Sequence, residues 1–457
     1  MRPASPAPVI GSSPKRPSAK TLPILKDSDK PVYHQFFILF IALKCVIFGL
    51  AHVAIAMVHS NNSASDLIIF ASKNLNSFDY FLKVFVTPFV RWDGVHFMSI
   101  ALKGYIFENQ FAFFPLLPFL ARFCAVFLFK FCGLSFLMSF EPIIALVGIF
   151  FTNSCHLLAT LYLFKLTNLM FKTTNFSMIA AIMFLFNPAA IQLSAFYTES
   201  PFALFTFAGL YYFYKENKFI AAIFWALASA TRSNGIVLIG FFLNGLLNQL
   251  FLKTGFLPFS ECLFEVLKTA FYSIITISPL VGFQYYAYSG YCSIDNPSRP
   301  WCFAHIPSIY SFVQKTYWNV GLFNYFTLNQ IPNFLFAMPM IIISSTAVFL
   351  YFESDHARFI SLGLTQSKNK RAKSLKLFYD DQVLPHIYLL SFMLFYNLFI
   401  AHVQIITRVF TFMPVIYWFM AHVIMNFSIR TQKILLTYIG VYGLLGTCLF
   451  ALNYPPA

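Results

Sequence analysis

The chain of 457 residues is 59% hydrophobic, includes 61 Phe and is only 10% charged, which excludes a soluble domain: such a domain needs more charge on its surface and cannot hide that much apolar area. The net charge is +15, but the basic residues gather at the ends of apolar runs and in loops. With no basic stripe interleaved with aromatics, a nucleic-acid partner is excluded, and the positive charge reads as a determinant of membrane orientation.

Apolar runs recur from residue 36 to the C-terminus. Each approaches the roughly 20 residues a helix needs to cross the hydrocarbon. They are continuous rather than alternating, so the class is an all-α polytopic membrane protein and not a β-barrel. Residues 1–35 open the chain with a Pro-, Ser- and Lys-rich stretch and read as a disordered tail. Lys15, Arg16, Lys20, Lys26 and Lys30 precede the first apolar run, near 36–59, which reads as an uncleaved signal anchor with the tail in the cytosol. Lys44 lies mid-run, and the sequence offers it no partner.

The segment 60–111 then faces the opposite side. It holds the glycosylation sequon Asn61-Asn62-Ser63 and the charged cluster Arg91-Trp92-Asp93-Gly94-Val95-His96. A carboxylate just outside the hydrocarbon could act as a general base, and Trp92 offers an aromatic platform for a sugar. The same residues could instead anchor a helix at the headgroups. Glu108 is a second carboxylate in the segment and a competing base. Phe111–Gly133 is broken by Pro115 and Pro118, which favours a re-entrant or juxtamembrane hairpin over a full span.

Further spans are expected near 140–164, 178–196, 200–214, 219–231, 235–252, 266–288, 333–352, 385–406, 410–426 and 433–452, giving about 10–12 transmembrane helices. Asn187-Pro188 should bend its helix, either as a simple kink or to free carbonyls toward a cavity. Glu199 lies between two apolar runs and is costly there unless paired; Arg232 is a candidate partner. Arg91, Arg232 and Arg408 could grip a phosphate or snorkel to lipid headgroups. His402 and Gln404 precede Arg408, and His402 could aid proton transfer or be structural. Cys292 and Cys302 bracket a short polar stretch in the loop 289–330, where a disulfide or two free thiols are open. The other six cysteines lie in or beside apolar runs, and no CxxC or HExxH spacing suggests a metal.

If 111–133 does not cross, the basic loop 353–384 falls in the cytosol, and the loop 289–330 shares a face with Asp93. The stretches 91–96, 197–200, 231–234 and 402–408 then meet on that same face, as a polar cavity at the membrane surface requires. No internal repeat supports a transporter of duplicated halves.

The order of these stretches carries a resemblance. Trp92-Asp93-Gly94-Val95-His96-Phe97, Gly104-Tyr105, Glu108 and Ala112-Phe113-Phe114-Pro115 resemble the first lumenal loop of the phosphatidylinositol-glycan class V family. Phe186-Asn187-Pro188-Ala189, Phe196-Tyr197-Thr198-Glu199-Ser200, Arg232-Ser233-Asn234-Gly235, Arg299-Pro300-Trp301-Cys302, His402-Val403-Gln404 and Thr407-Arg408 agree in order, over roughly 35–452. The resemblance implies a GT-C type fold in the endoplasmic reticulum membrane, with 60–111 and 289–330 as lumenal loops. It implies transfer of mannose from dolichol-phosphate mannose, in α1,6 linkage, to the mannosyl-glucosaminyl-(acyl)phosphatidylinositol intermediate of glycosylphosphatidylinositol (GPI) anchor assembly. Such an inverting transfer needs one base and a stabilised leaving phosphate, with neither a cofactor nor a metal. Asp93 would be the base, assisted by Trp92. Arg91, His96, Glu199, Arg232, Asn234, His402, Gln404 and Arg408 would bind donor phosphate or substrate. Fungal members imply a small membrane partner subunit. The competing readings are another dolichol-phosphate-sugar transferase, a lipid-linked-sugar transporter or scramblase, and a purely structural subunit.

Overall fold

A computed structural model describes residues 30–58, 64–70, 77–252, 258–292, 299–365 and 377–454; the sequon at 61–63 and most of the N-terminal tail lie outside them. Among the described residues there is no strand. Helix α1 (Lys30–Met57) already includes residues 30–35, which composition assigned to the tail. The first loop folds into α2 (Ala64–Ile69), α3 (Ser77–Val86) and α4 (Asp93–Lys103), followed by α5 (Leu116–Phe131). The central bundle comprises α6 (Phe140–Phe171), α7 (Thr174–Leu185), α8 (Glu199–Tyr214), α9 (Lys218–Thr231) and α10 (Ile239–Leu252). Then come α11 (Phe259–Tyr291), α12 (Ile309–Trp318), α13 (Ile331–Ser354), α14 (His356–Ile360), α15 (Leu384–Phe399), α16 (Pro414–Asn426) and α17 (Ile429–Ala451).

Among the described residues seven helices are long and apolar enough to cross a membrane, or eight if Val403–Phe412 and Pro414–Asn426, bent by 89°, form one span. That is fewer than the about 10–12 expected, because apolar runs at 178–196 and 219–231 fold into the helices α7 and α9, which are shorter than a span. The run 111–133 does not form a hairpin. Pro115 caps α5 and Pro118 sits in its first turn, where a missing N–H costs no helical bond, so the prolines start one helix rather than break it. Arg122 on α5 donates to the carbonyls of Ala101 (2.8 Å) and Leu102 (2.5 Å), satisfying the C-terminal end of α4.

Helix α8 is apolar on all sides beyond Glu199, and every residue from Glu199 to Leu210 is buried. It packs against α6 and α9. Gly148 lies where any side chain would run into the Phe196 ring, so its absence lets the non-helical stretch 187–198 sit directly on α6. Lys44 does have partners. Its ammonium nitrogen lies 2.8 Å from His156 Nδ1 and donates to Ser194 Oγ at 2.7 Å, tying α1 and α6 to that stretch. Helix α8 carries Glu199 at one end and Tyr214 beside Lys215 at the other; with α9 returning from Lys218 to Arg232, the site residues and these lysines stand at opposite ends of the bundle.

Candidate active site

Trp92 adopts φ +50°, a conformation uncommon for a residue with a Cβ, and Asp93 begins α4 immediately after it. The position is held from behind. Tyr197 Oη accepts from the Asp93 backbone N–H at 3.0 Å and donates to the Arg91 carbonyl at 3.2 Å. The Phe196 N–H donates to the Phe89 carbonyl at 2.9 Å. Two stretches far apart in sequence thus fix the start of α4.

Asp93 Oδ2 accepts from Arg408 Nη1 at 2.6 Å. The same Nη1 stands 3.9 Å from Glu199 Oε1, and Arg232 Nη1 reaches that oxygen at 2.6 Å. Two carboxylates and two guanidiniums therefore form a chain contributed by α4, α8, the end of α9 and the segment Val403–Phe412. Glu199 is only 1% exposed, an expensive position for a charge without such partners. Arg408 also lies 5.9 Å over the Tyr197 ring. Arg408 Nε and Glu199 Oε2 have no hydrogen-bond partner among the described residues. Arg232 is presented by a tight turn: at Gly235 a Cβ would meet the Ser229 backbone, so only glycine lets the chain fold back on α9.

Asp93, Trp92, Arg232, Asn234, Gln404 and Arg408 line a cavity of about 590 Å³. His402 lines it too, donating from Nε2 to the Trp318 carbonyl at 2.6 Å and stacking on Tyr325. Burial lowers the His402 pKa and Arg408 lowers it further, against the opposing bond to Trp318, so the ring is neutral with its proton on Nε2. The cavity combines a carboxylate and guanidiniums with apolar walls from Phe392 and Met393, as a polar headgroup attached to a lipid requires.

Three expected site residues lie elsewhere. Arg91 is buried, 3.5 Å from Ser65 Oγ, and does not line the cavity; the chain reversal at Trp92 separates it from Asp93. His96 stacks on Phe113 with ring centres 4.5 Å apart and faces a second hollow. Burial lowers its pKa, partly offset by Asp93. Glu108 also belongs to the second hollow, accepting from Trp301 Nε1 at 2.8 Å and Tyr317 Oη at 3.1 Å, with Arg299 Nε at 3.6 Å. The intervening helix, about 16 Å long for its 11 residues, carries Glu108 away from Asp93, so closeness in sequence misled. Cys292 and Cys302 are bonded to each other. Among the described residues no three His, Cys, Asp or Glu side chains converge to hold a metal ion.

Sequence reading also missed Gln192, Tyr310, Tyr396 and Asn397, all of which line the cavity. Gln192 and Asn397 were readable, each an amide inside an apolar run. The tyrosines carry no signal in so aromatic a chain.

Comparison with known proteins places the chain in a family. The family model described as Mannosyltransferase (PIG-V) matches residues 31–457. Human GPI alpha-1,6-mannosyltransferase 2 is 32% identical over 373 residues, covering 73% of each chain. GPI mannosyltransferase 2 of Schizosaccharomyces pombe is 32% identical over 373 residues, covering 80% of this chain and 73% of its own. Among solved structures, the archaeal oligosaccharyltransferase AglB from Archaeoglobus fulgidus, in complex with an inhibitory peptide and a dolichol-phosphate, overlaps with a TM-score of 0.38 at 12% identity. It covers 91% of this chain and 56% of its own, and at that overlap the likeness carries no weight of its own. The match over nearly the whole chain settles membership: this chain belongs to the mannosyltransferase (PIG-V) family of membrane-embedded glycosyltransferases.

Proposed function

We propose that the chain is an inverting GPI mannosyltransferase of the GT-C type. It transfers mannose from dolichol-phosphate mannose to the 6-hydroxyl of the one-mannose GPI intermediate, on the lumenal side of the endoplasmic reticulum membrane. The observation that carries the reading is the charged chain in which Asp93, Arg408 and Arg232 line one cavity and buried Glu199 joins the two guanidiniums from behind, in a family whose relatives bear GPI mannosyltransferase names.

The chemistry follows from the charges. The acceptor oxygen attacks the anomeric carbon of the donor mannose as its proton passes to the Asp93 carboxylate. The bond from that carbon to the phosphate oxygen breaks, and dolichol phosphate leaves with the electron pair. Arg408 and Arg232 meet the charge growing on the phosphate, using guanidinium groups already fixed by Glu199. Lipid tails remain in the bilayer while the headgroups react. Tyr197 holds the α4 N-terminus, and with it Asp93, still.

The test is reconstitution. Purified protein in lipid, given dolichol-phosphate mannose and the one-mannose GPI intermediate, should form the two-mannose product with an α1,6 bond. Movement of either lipid across the bilayer without product would instead favour a scramblase.

A further inference from the structure

Helix α4 serves two cavities. Asp93 and Phe97 line the one described above; His96 and Ser99, on an adjacent face, line a second hollow of about 550 Å³. Its other walls include Glu108, Asn109, Arg299 and Tyr317. Glu108 is nearly buried and fixed by Trp301 and Tyr317. Arg299 is 46% exposed and lies over Tyr291, with Glu108 answering its charge at 3.6 Å. Tyr317 is half exposed. Gln110 holds the wall in place: its Oε1 accepts from the Ile106 and Phe107 backbone N–H groups, and its Nε2 donates to Ser99 Oγ at 3.1 Å.

This chemistry differs from that of the first cavity. Both hollows pair their guanidiniums with carboxylates, but the first brings two guanidiniums to one cavity, whereas here a single half-exposed one lies over Tyr291 beside Glu108 and makes the poorer seat for a phosphate. The second hollow offers an aromatic ring, an amide, a hydroxyl and a carboxylate held in an ion pair around a concave space, which is a set of groups that recognises a sugar through its hydroxyls, its apolar face and, for an amino sugar, its ammonium. The two hollows are also close. His96 lies about 4.5 Å and Ser99 about 9 Å along the helix axis from Asp93, within the length of a short saccharide.

We infer that the second hollow binds the oligosaccharide of the acceptor, the sugar next to the mannose that reacts at Asp93. The inference rests on the mannosyl-transfer reading above. The donor needs only the first cavity, whose guanidiniums suit its phosphate, whereas the acceptor glycan continues past the reacting hydroxyl and needs a second seat. Glu108 and Arg299, drawn from the first and second large loops, thus act in acceptor specificity rather than in proton transfer.

The test uses purified full-length protein in lipid with dolichol-phosphate mannose and the one-mannose GPI intermediate, each varied in turn. Tyr317→Ala and Asn109→Trp should raise the acceptor KM about tenfold while donor KM stays within about twofold of the parent. Thermal midpoints should match the parent, and Arg299→Ala provides a variant at a half-exposed position should either of the others fold poorly. The inference is overturned if acceptor and donor KM rise together, or if neither moves while transfer continues; both results leave the mannosyl-transfer reading standing. If the parent protein transfers no mannose at all, that reading fails first and takes this one with it.

Discussion

Arg408 and Asp93 are 315 positions apart in the chain, and Arg408 Nη1 donates to Asp93 Oδ2 at 2.6 Å. The pairing makes the proposed base and a proposed phosphate ligand one unit. Displacing either changes the position and charge of the other.

Asp93→Asn keeps the shape and removes the proton acceptor. Transfer should fall by about a hundredfold or more, with a thermal midpoint in detergent close to the parent. A variant that retains most of its turnover would remove Asp93 from the role of base.

Arg232→Ala leaves buried Glu199 with Arg408 alone, at 3.9 Å. Breaking a buried pair from one side should cost about 3 kcal/mol of stability. Adding Glu199→Gln should restore most of that stability and none of the transfer, because the phosphate ligand is still missing. A double variant as unstable as Arg232→Ala would show that the pair is not the seat of the cost.

Tyr197→Phe deletes the hydroxyl that accepts from the Asp93 N–H and donates to the Arg91 carbonyl. The loss of about 1 kcal/mol of positioning should appear as a several-fold lower kcat with little change in either KM. Steady-state kinetics on both substrates would reveal the opposite split, which the structure does not allow.

His402 has a lowered pKa because it is buried. Below the ordinary histidine value, near 6.5, the unfolded chain takes up a proton that the folded ring refuses, so this contribution to stability is present above that pH and is lost as the pH falls through it. His402→Gln should therefore flatten part of the drop in thermal midpoint between about pH 7.5 and 5.5. An unchanged pH profile would mean that His402 titrates alike in both states.

Cys292 and Cys302 close a loop with a sequence separation of 10. Cys292→Ser should lower stability by about 2–4 kcal/mol, and it should lower transfer because Trp301, adjacent to Cys302, holds Glu108. Unfolding under oxidising and reducing conditions separates the bond from the serine itself.

The sequence was most legible where physics makes a residue expensive. Glu199, Arg232 and Arg408 stood out as charges at the edges of apolar runs, and the structure joins all three. It was misleading where short sequence distance stood in for contact. Glu108 and Arg91 are near Asp93 in the chain, yet an α-helix and a residue with positive φ carry them to other surroundings. The prolines at 115 and 118 were misread because their effect depends on position: at a helix start they are well tolerated. The segment with Arg408 was expected at the junction of two apolar runs; the 89° turn before Pro414 lays it across the end of the bundle, a tertiary feature without a local signature.

The envelopment of α8 has a mechanical consequence. A rod clasped by protein along its length feels neither the thickness nor the fluidity of the surrounding lipid directly. Whatever the bilayer does at the rim must pass through other helices before it disturbs the acid at the rod's tip. Flexing that admits two greasy substrates therefore falls to the outer staves, while the charged centre stays as still as the keystone of an arch.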